Sequence, residues 1–205
     1  MQARAEQTRL RILNAALREF SAKGFHGARI DAIATRAKAN KERLYAFFGS
    51  KEGLFAAVLQ ESFAAIAEEE QALVGLSDAD IPRLAEILLG HYLAFHARHP
   101  HFWRLLAWEN LEGGRHVGAL AGIRQASFAH LRQLYARGQA QGAFRPEVSF
   151  EAFLFVLSSV VFFLFANQRT MSQTLALDLA DPAVRERLMG DALRLLEFGL
   201  ATRPA

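Results

Sequence analysis

The 205 residues are 52% apolar and 22% charged, with 14 glycines, 5 prolines and no low-complexity run, which excludes a collagenous or disordered chain. Cysteine is absent, so disulfides, thiolate metal sites and a cysteine nucleophile are excluded together, and a reducing cytoplasm is the expected compartment. The net charge of +3 is unevenly placed: residues 1–55 carry 11 Lys and Arg against 5 Asp and Glu, and residues 56–205 carry 13 against 16, so two domains are expected, 1–55 suited to a polyanion and 56–205 mildly acidic.

Taken in order, the chain reads as helix throughout. Arg4, Glu6, Arg9 and Arg11 stand where a secretory signal would need an uncharged apolar run, so no export is expected. Leu10, Leu13, Leu17 and Phe20 mark a first helix ending near Lys23 and Gly24. Ile30, Ile33, Ala34 and Ala37 mark a short second helix, and Asn40 caps an equally short third around Leu44 and Tyr45. Ser50 caps a fourth, whose apolar stripe runs from Leu54 towards Leu73. Asp80 and Pro82 open a fifth that Pro100 ends, and Phe102 to Trp108 form a sixth before Gly113. Leu120 to Gly138 trace a seventh, Ser149 caps an eighth over Phe150–Ala166, and Pro182 opens the last, to about Leu200. No strand-like alternation interrupts them, so the expected fold is all-α with about nine helices.

The eighth helix is nearly free of charge, but its 15 residues from Ala152 to Ala166 fall short of the roughly 18–20 that a membrane span needs. It is expected to be buried in protein on every side, with no membrane partner. The last helix carries two adjoining stripes, one of Val184, Leu188, Ala192, Leu195 and Gly199, the other of Met189, Leu193, Leu196 and Leu200. So wide an apolar face beside an all-apolar helix is the pattern of an intersubunit bundle, giving a homodimer through about 150–170 and 182–200. A single-chain core is the other way to use the same faces.

The second and third helices, joined by about three residues, have the dimensions of a helix-turn-helix whose second member enters the major groove of duplex DNA. Leu44 and Phe48 point inwards as anchors. The outer face offers Lys41, Glu42, Arg43 and Tyr45, flanked by Asn40 and Phe47, a mixture suited to phosphates, base edges and thymine methyls. Arg43 is the candidate base reader, since arginine bonds guanine bidentately, with Arg29 and Lys41 as phosphate contacts. Glu42 either meets a base or pairs with a neighbouring cation. Tyr45 alternatively packs on the first helix, and Arg29 and Lys38 are alternatively solvated.

Ile12, Ala15, Ala16, Phe20, Gly24, Phe25, Ile33, Ala34, Leu44, Tyr45, Phe48, Ser50, Lys51, Glu52 and Leu54 together resemble the N-terminal domain of the tetracycline-repressor (TetR) family of bacterial transcription regulators, most densely in the tract NKERLYAFFGSKEGLF. The resemblance implies a three-helix DNA-binding domain followed by a larger ligand-binding and dimerisation domain. It also implies a repressor's role on a near-palindromic operator and DNA-phosphate contacts at Tyr45 and Lys51. The sequence departs from the family pattern in three places: Ala28 and Arg29 where Thr or Ser is common, Lys38 for a turn glycine, and Glu42 and Arg43 for small residues. Individual base contacts therefore do not carry over.

In the larger part, Tyr92, Phe95, Trp103, Trp108, Phe128 and Phe162 are candidate walls of a pocket, with His96, Glu109, Arg124 and Asn167 to orient a ligand. They suit a small apolar or aromatic effector that releases DNA. The alternative is a dimerisation module with no pocket. His91, His96, His99 and His101 cluster, but no HExxH or Glu-x-x-His pattern is present, so no metal or other cofactor is expected. No nucleophile with a base and no phosphate loop is found, so no enzyme is expected.

Overall fold

The structure is a computed structural model describing residues 2–120 and 122–200. Ten α-helices occur among them: α1 Gln2–Gly27, α2 Ile30–Ala37, α3 Lys41–Phe48, α4 Lys51–Glu69, α5 Leu84–Arg98, α6 Pro100–Leu111, α7 Gln125–Ala140, α8 Phe150–Ala166, α9 Gln168–Leu175 and α10 Pro182–Leu200. Short 3-10 turns occupy Glu70–Gly75, Asp78–Arg83 and Val117–Leu120. The all-α expectation holds, with one helix more than the apolar pattern marks. That helix, α9, buries no residue, so no stripe announces it. Pro82 lies in a 3-10 turn ahead of α5, and α7 starts at Gln125, after Gly122 has taken φ 78°.

Packing divides the chain into two units, and not at residue 55. One unit joins the chain up to Glu68 with His99–Arg124; the other joins Glu69–Arg98 with the chain from Gln125 onward. In the first, Ile12, Ala16 and Phe20 of α1, Ile33 of α2, Leu44 of α3 and Leu54, Phe55 and Leu59 of α4 form one fully buried cluster, which Leu105 of α6 completes. Burying each such large side chain contributes about 1.5–3 kcal/mol, which is how two helices of eight residues, too short to persist alone, are held. Phe20 meets Phe55 edge-on at 4.9 Å. Regular helix in α1 breaks at Gly24 (φ 69°, ψ −179°), near the stop expected from sequence. His101 Nδ1 lies 2.8 Å from Ser21 Oγ and ties α6 to α1.

In the second unit, α5, α7 and α10 pack on α8. Tyr135 of α7 stacks with Phe144 and Phe153 at 5.0 and 5.2 Å and donates its hydroxyl to the Val148 carbonyl at 2.9 Å. Burial pushes this phenol up to about 12. Phe153, Leu157, Val161 and Leu164 give α8 its buried stripe. The expectation that α8 is buried on every side fails within one chain: Phe155 is 73% and Phe163 51% exposed, with Val156 beside them. The neighbouring helices of the unit cover one side of α8 and leave this face open. On α10, Met189 and Leu200 are buried while Leu195 and Phe198 are 76% and 68% exposed. Among the described residues no single helix is long and apolar enough to cross a membrane; α8 and α9 qualify only as a pair bent by 86°.

Candidate nucleic-acid interface

The interface rests on α2, α3 and the turn between them. Arg29 stands before α2 in extended conformation, its backbone N–H 3.4 Å from Glu19 Oε1, which also accepts from Lys23 Nζ at 2.7 Å. Burial raises the Glu19 carboxyl, but the bonds from Lys23 and Arg29 and the charges of Lys23 and Arg36 outweigh it and hold the group below the usual carboxylate range. A charged Glu19 thus anchors the entry to α2. The Arg29 side chain is exposed.

Lys38 closes α2 in the left-handed conformation (φ 52°, ψ 46°), and Ala39 N–H returns to the Ala34 carbonyl at 3.0 Å. Asn40 then caps α3 as expected, its Oδ1 accepting from Arg43 N–H at 2.9 Å. Leu44 is fully buried and Phe47 and Phe48 pack half-buried against the same core, so the polar side of the short helix turns outward. Arg43 is exposed and places its guanidinium 5.7 Å from the Phe47 ring centre, and Tyr45 is 42% exposed. Lys41 Nζ reaches Asp31 Oδ1 at 2.7 Å, and the bond and charge of Asp31 raise its ammonium above the ordinary value. Lys51 lies 4.9 Å over the Phe25 ring and 3.5 Å from the His26 carbonyl. All seven residues expected to meet DNA therefore belong to the first unit: Asn40, Lys41, Arg43, Tyr45 and Phe47 lie on α3 and its cap, Lys51 opens α4, and Arg29 precedes α2.

Beside this face opens a cleft of about 800 Å³ that the sequence did not single out, walled by Arg4, Thr8 and Arg11 of α1, Lys38 and Asn40 of the turn, and Arg43 of α3. The available signal was the recurrence of Arg4, Thr8 and Arg11 at four- and three-residue steps, which puts them on one face of α1.

The ten expected ligand residues are divided between the units. Trp103, Trp108, Glu109 and Arg124 fall in the first. Trp108 packs against Gly24, Trp103 carries the Arg104 guanidinium at 5.0 Å, and the fully buried Glu109 accepts from the His116 backbone N–H and lies 3.0 Å from its Nδ1. Tyr92, Phe95, His96, Phe128, Phe162 and Asn167 fall in the second unit. Tyr92 donates its hydroxyl to the buried Glu70 at 2.8 Å, and Ser127 donates to the other oxygen at 2.8 Å. His96 Nδ1 is 2.9 Å from the Tyr92 carbonyl, and its ring stacks on Phe165. Asn167 donates to the Phe163 carbonyl at the end of α8. Phe95 is buried, and Phe128 and Phe162 are half-buried.

Comparison with known proteins places this architecture. The profile of bacterial regulatory proteins of the tetR family matches residues 12–58, and that of the tetracyclin repressor-like C-terminal domain matches residues 84–193. The HTH-type transcriptional repressor NicS of Pseudomonas putida is 38% identical over 180 residues, 86% of this chain and 84% of that one. The HTH-type transcriptional repressor SCO4008 of Streptomyces coelicolor is 36% identical over 152 residues, 74% of this chain and 75% of its own. Among solved structures, the transcriptional regulator SCO4942 of Streptomyces coelicolor superposes with a TM-score of 0.70 at 31% identity, covering 96% of this chain and 99% of that one.

Proposed function

This chain belongs to the tetR family of bacterial regulatory proteins and is a DNA-binding transcription regulator, and from that premise we propose a repressor that works in the cytoplasm as a homodimer on a near-palindromic operator. One observation carries the operator reading: α3 is anchored by the fully buried Leu44, with Phe47 and Phe48 packed against the same core, and presents Lys41, Arg43 and Tyr45 outward from a capped N-terminus. Arg43 reads a base edge; Arg29, Lys41, Tyr45 and Lys51 hold phosphates; Asn40 fixes the start of the recognition helix. Two such helices related by a dimer axis would address half-sites about one helical turn apart, roughly 34–36 Å.

The exposed Phe155 and Phe163 of α8 and Leu195 of α10 support the dimer: in water they form an apolar surface that a second copy would cover. Residues 56–205 then serve dimerisation and effector binding, with 1–55 as the DNA-binding segment. The effector is a small apolar or aromatic molecule held by the aromatic residues of the larger part. It would lower DNA affinity by preferring a spacing of the two α3 helices that misses the groove.

A gel-shift with DNA flanking the protein's own gene tests the operator reading. A retarded complex that survives excess random duplex is expected; equal displacement by random DNA would overturn sequence-specific recognition.

A further inference from the structure

Local rules of protein electrostatics and backbone geometry are broken three times around the cleft beside α3. Arg4 stands in the first turn of α1, which carries no acidic residue, so its charge meets the positive end of the helix dipole. Lys38 holds a left-handed backbone that glycine would adopt without strain. Arg4, Arg11, Lys38 and Arg43 bring four cations to one cleft, and among the described residues no acidic side chain lines it and none of the four forms an ion pair. Elsewhere in the same unit Lys23, Lys41 and Arg9 each lie against a carboxylate.

An anion in the cleft would offset both electrostatic costs, and it would give the Lys38 ammonium a partner at the position where its backbone strain is spent. Thr8, itself buried, donates to the Arg4 carbonyl at 2.9 Å and receives one Arg11 N–H at 3.1 Å. The Arg11 guanidinium is thereby held in place with further N–H donors to offer. Because Arg43 belongs to both the cleft and the recognition face, an anion bound here lies next to the base that Arg43 reads.

We propose that this cleft grips the DNA backbone beside each half-site, with Arg4, Arg11 and Lys38 each neutralising a phosphate of its own as positioning contacts that fix the register of α3. The assignment rests on the DNA-binding reading above. It adds three phosphate-facing cations per subunit that no base contact requires, and it gives Lys38 a reason to stand where glycine would be easier.

The test measures the affinity of the full chain for a random-sequence duplex across a salt series, for the wild type, Arg4→Gln, Arg11→Gln, Lys38→Gly and, as a control, Arg83→Gln of the second unit. Losing one phosphate contact per subunit should make the slope of log K against log salt shallower by about two units per dimer, because each neutralised phosphate contributes about 0.9. Affinity should fall roughly 5- to 20-fold at moderate salt. Lys38→Gly should at the same time raise the melting temperature, which separates a binding role from a structural one. A wild type that fails to bind duplex overturns the DNA-binding reading and this proposal together. Unchanged slopes for all three variants beside a binding wild type overturn the cleft assignment alone. A thermal upshift with inorganic pyrophosphate that Arg11→Gln abolishes, at unchanged DNA slope, would give the cleft to a free anion and overturn the DNA assignment.

Discussion

Trp108 of α6 lies so close to Gly24 of α1 that a Cβ built on the glycine would stand 2.7 Å from the indole Cε3. Gly24 also holds φ 69° with ψ −179°, a region essentially reserved for glycine. Two independent constraints, one of backbone and one of packing, thus meet at a residue that the sequence marks only as a helix end. Gly24→Ala should destabilise the protein by about 3 kcal/mol or more, the sum of left-handed strain and overpacking. Urea unfolding followed by tryptophan fluorescence measures it; a cost under about 1 kcal/mol would show that the indole moves aside freely.

The Lys41–Asp31 pair spans the two helices of the helix-turn-helix on the surface expected to meet DNA. A cation that already holds a carboxylate is a weaker phosphate ligand, and exposed pairs of this kind contribute little to stability. Asp31→Asn should therefore strengthen binding to random duplex by roughly two- to five-fold and leave the melting curve nearly unchanged. Fluorescence anisotropy at low salt checks this, and weaker binding would mean that Asp31 positions Lys41 for its contact.

Arg43 and Lys51 should fail in different ways. Arg43→Ala should cost about 1–3 kcal/mol per lost bidentate contact on the operator and relax discrimination at one base pair of each half-site. Lys51→Ala should weaken operator and random DNA alike and make the salt slope shallower by roughly one to two units per dimer. Equal losses on both DNAs for Arg43→Ala would remove it as a base reader.

Most of this architecture follows from spacing along the chain. Asn40 is a good helix cap, and Leu44 is the central apolar residue of a helix polar on its outer face, so both roles are local and readable. The position of α6 is not local. Trp103 and Trp108 look like pocket walls because an aromatic residue carries the same pattern whether it lines a cavity or packs a core, and only the fold shows Trp108 against Gly24. Helix α9 escapes for the opposite reason: Gln168–Leu175 has only Met171 and Leu175 to mark a face, and neither is buried. The basic cleft is a tertiary feature as well, since Arg11 and Lys38 are far apart until α1 and the turn pack together.

Tyr135 should ionise well above the ordinary phenol range. The unfolded phenol titrates near 10 and burial moves the folded one to about 12, so the folded state keeps its proton more tightly. Its stabilising effect is complete below pH ~10 and is lost progressively as pH rises through ~12. Tyr135→Phe should remove that alkaline loss, at a cost of about 1 kcal/mol at neutral pH for the hydroxyl's bond to Val148. The phenolate absorbance that Tyr135→Phe removes, followed against pH with urea unfolding at two alkaline values, would show it; a midpoint for that absorbance near 10 would contradict it.

Phe155 and Phe163 are eight residues apart on one helix, and Leu195 and Phe198 lie three apart on another, all of them more than half exposed in the single chain. Each large apolar side chain left in water forgoes about 1.5–3 kcal/mol, so a second copy that covers this surface would gain several such contributions twice over by symmetry. A charge at its centre reverses the sign, since a carboxylate in a dry interface must be desolvated without a partner. Phe155→Glu and Leu195→Glu should each yield monomers at micromolar concentration with an unchanged helical circular dichroism spectrum, because neither side chain supports the core of its own chain. Their operator affinity should collapse while binding of a single half-site persists weakly, since each α3 remains intact but the two are no longer linked. Light scattering supplies the mass and gel-shift the affinity. Dimers of normal mass in both variants would place the subunit interface elsewhere and leave this apolar face for another partner.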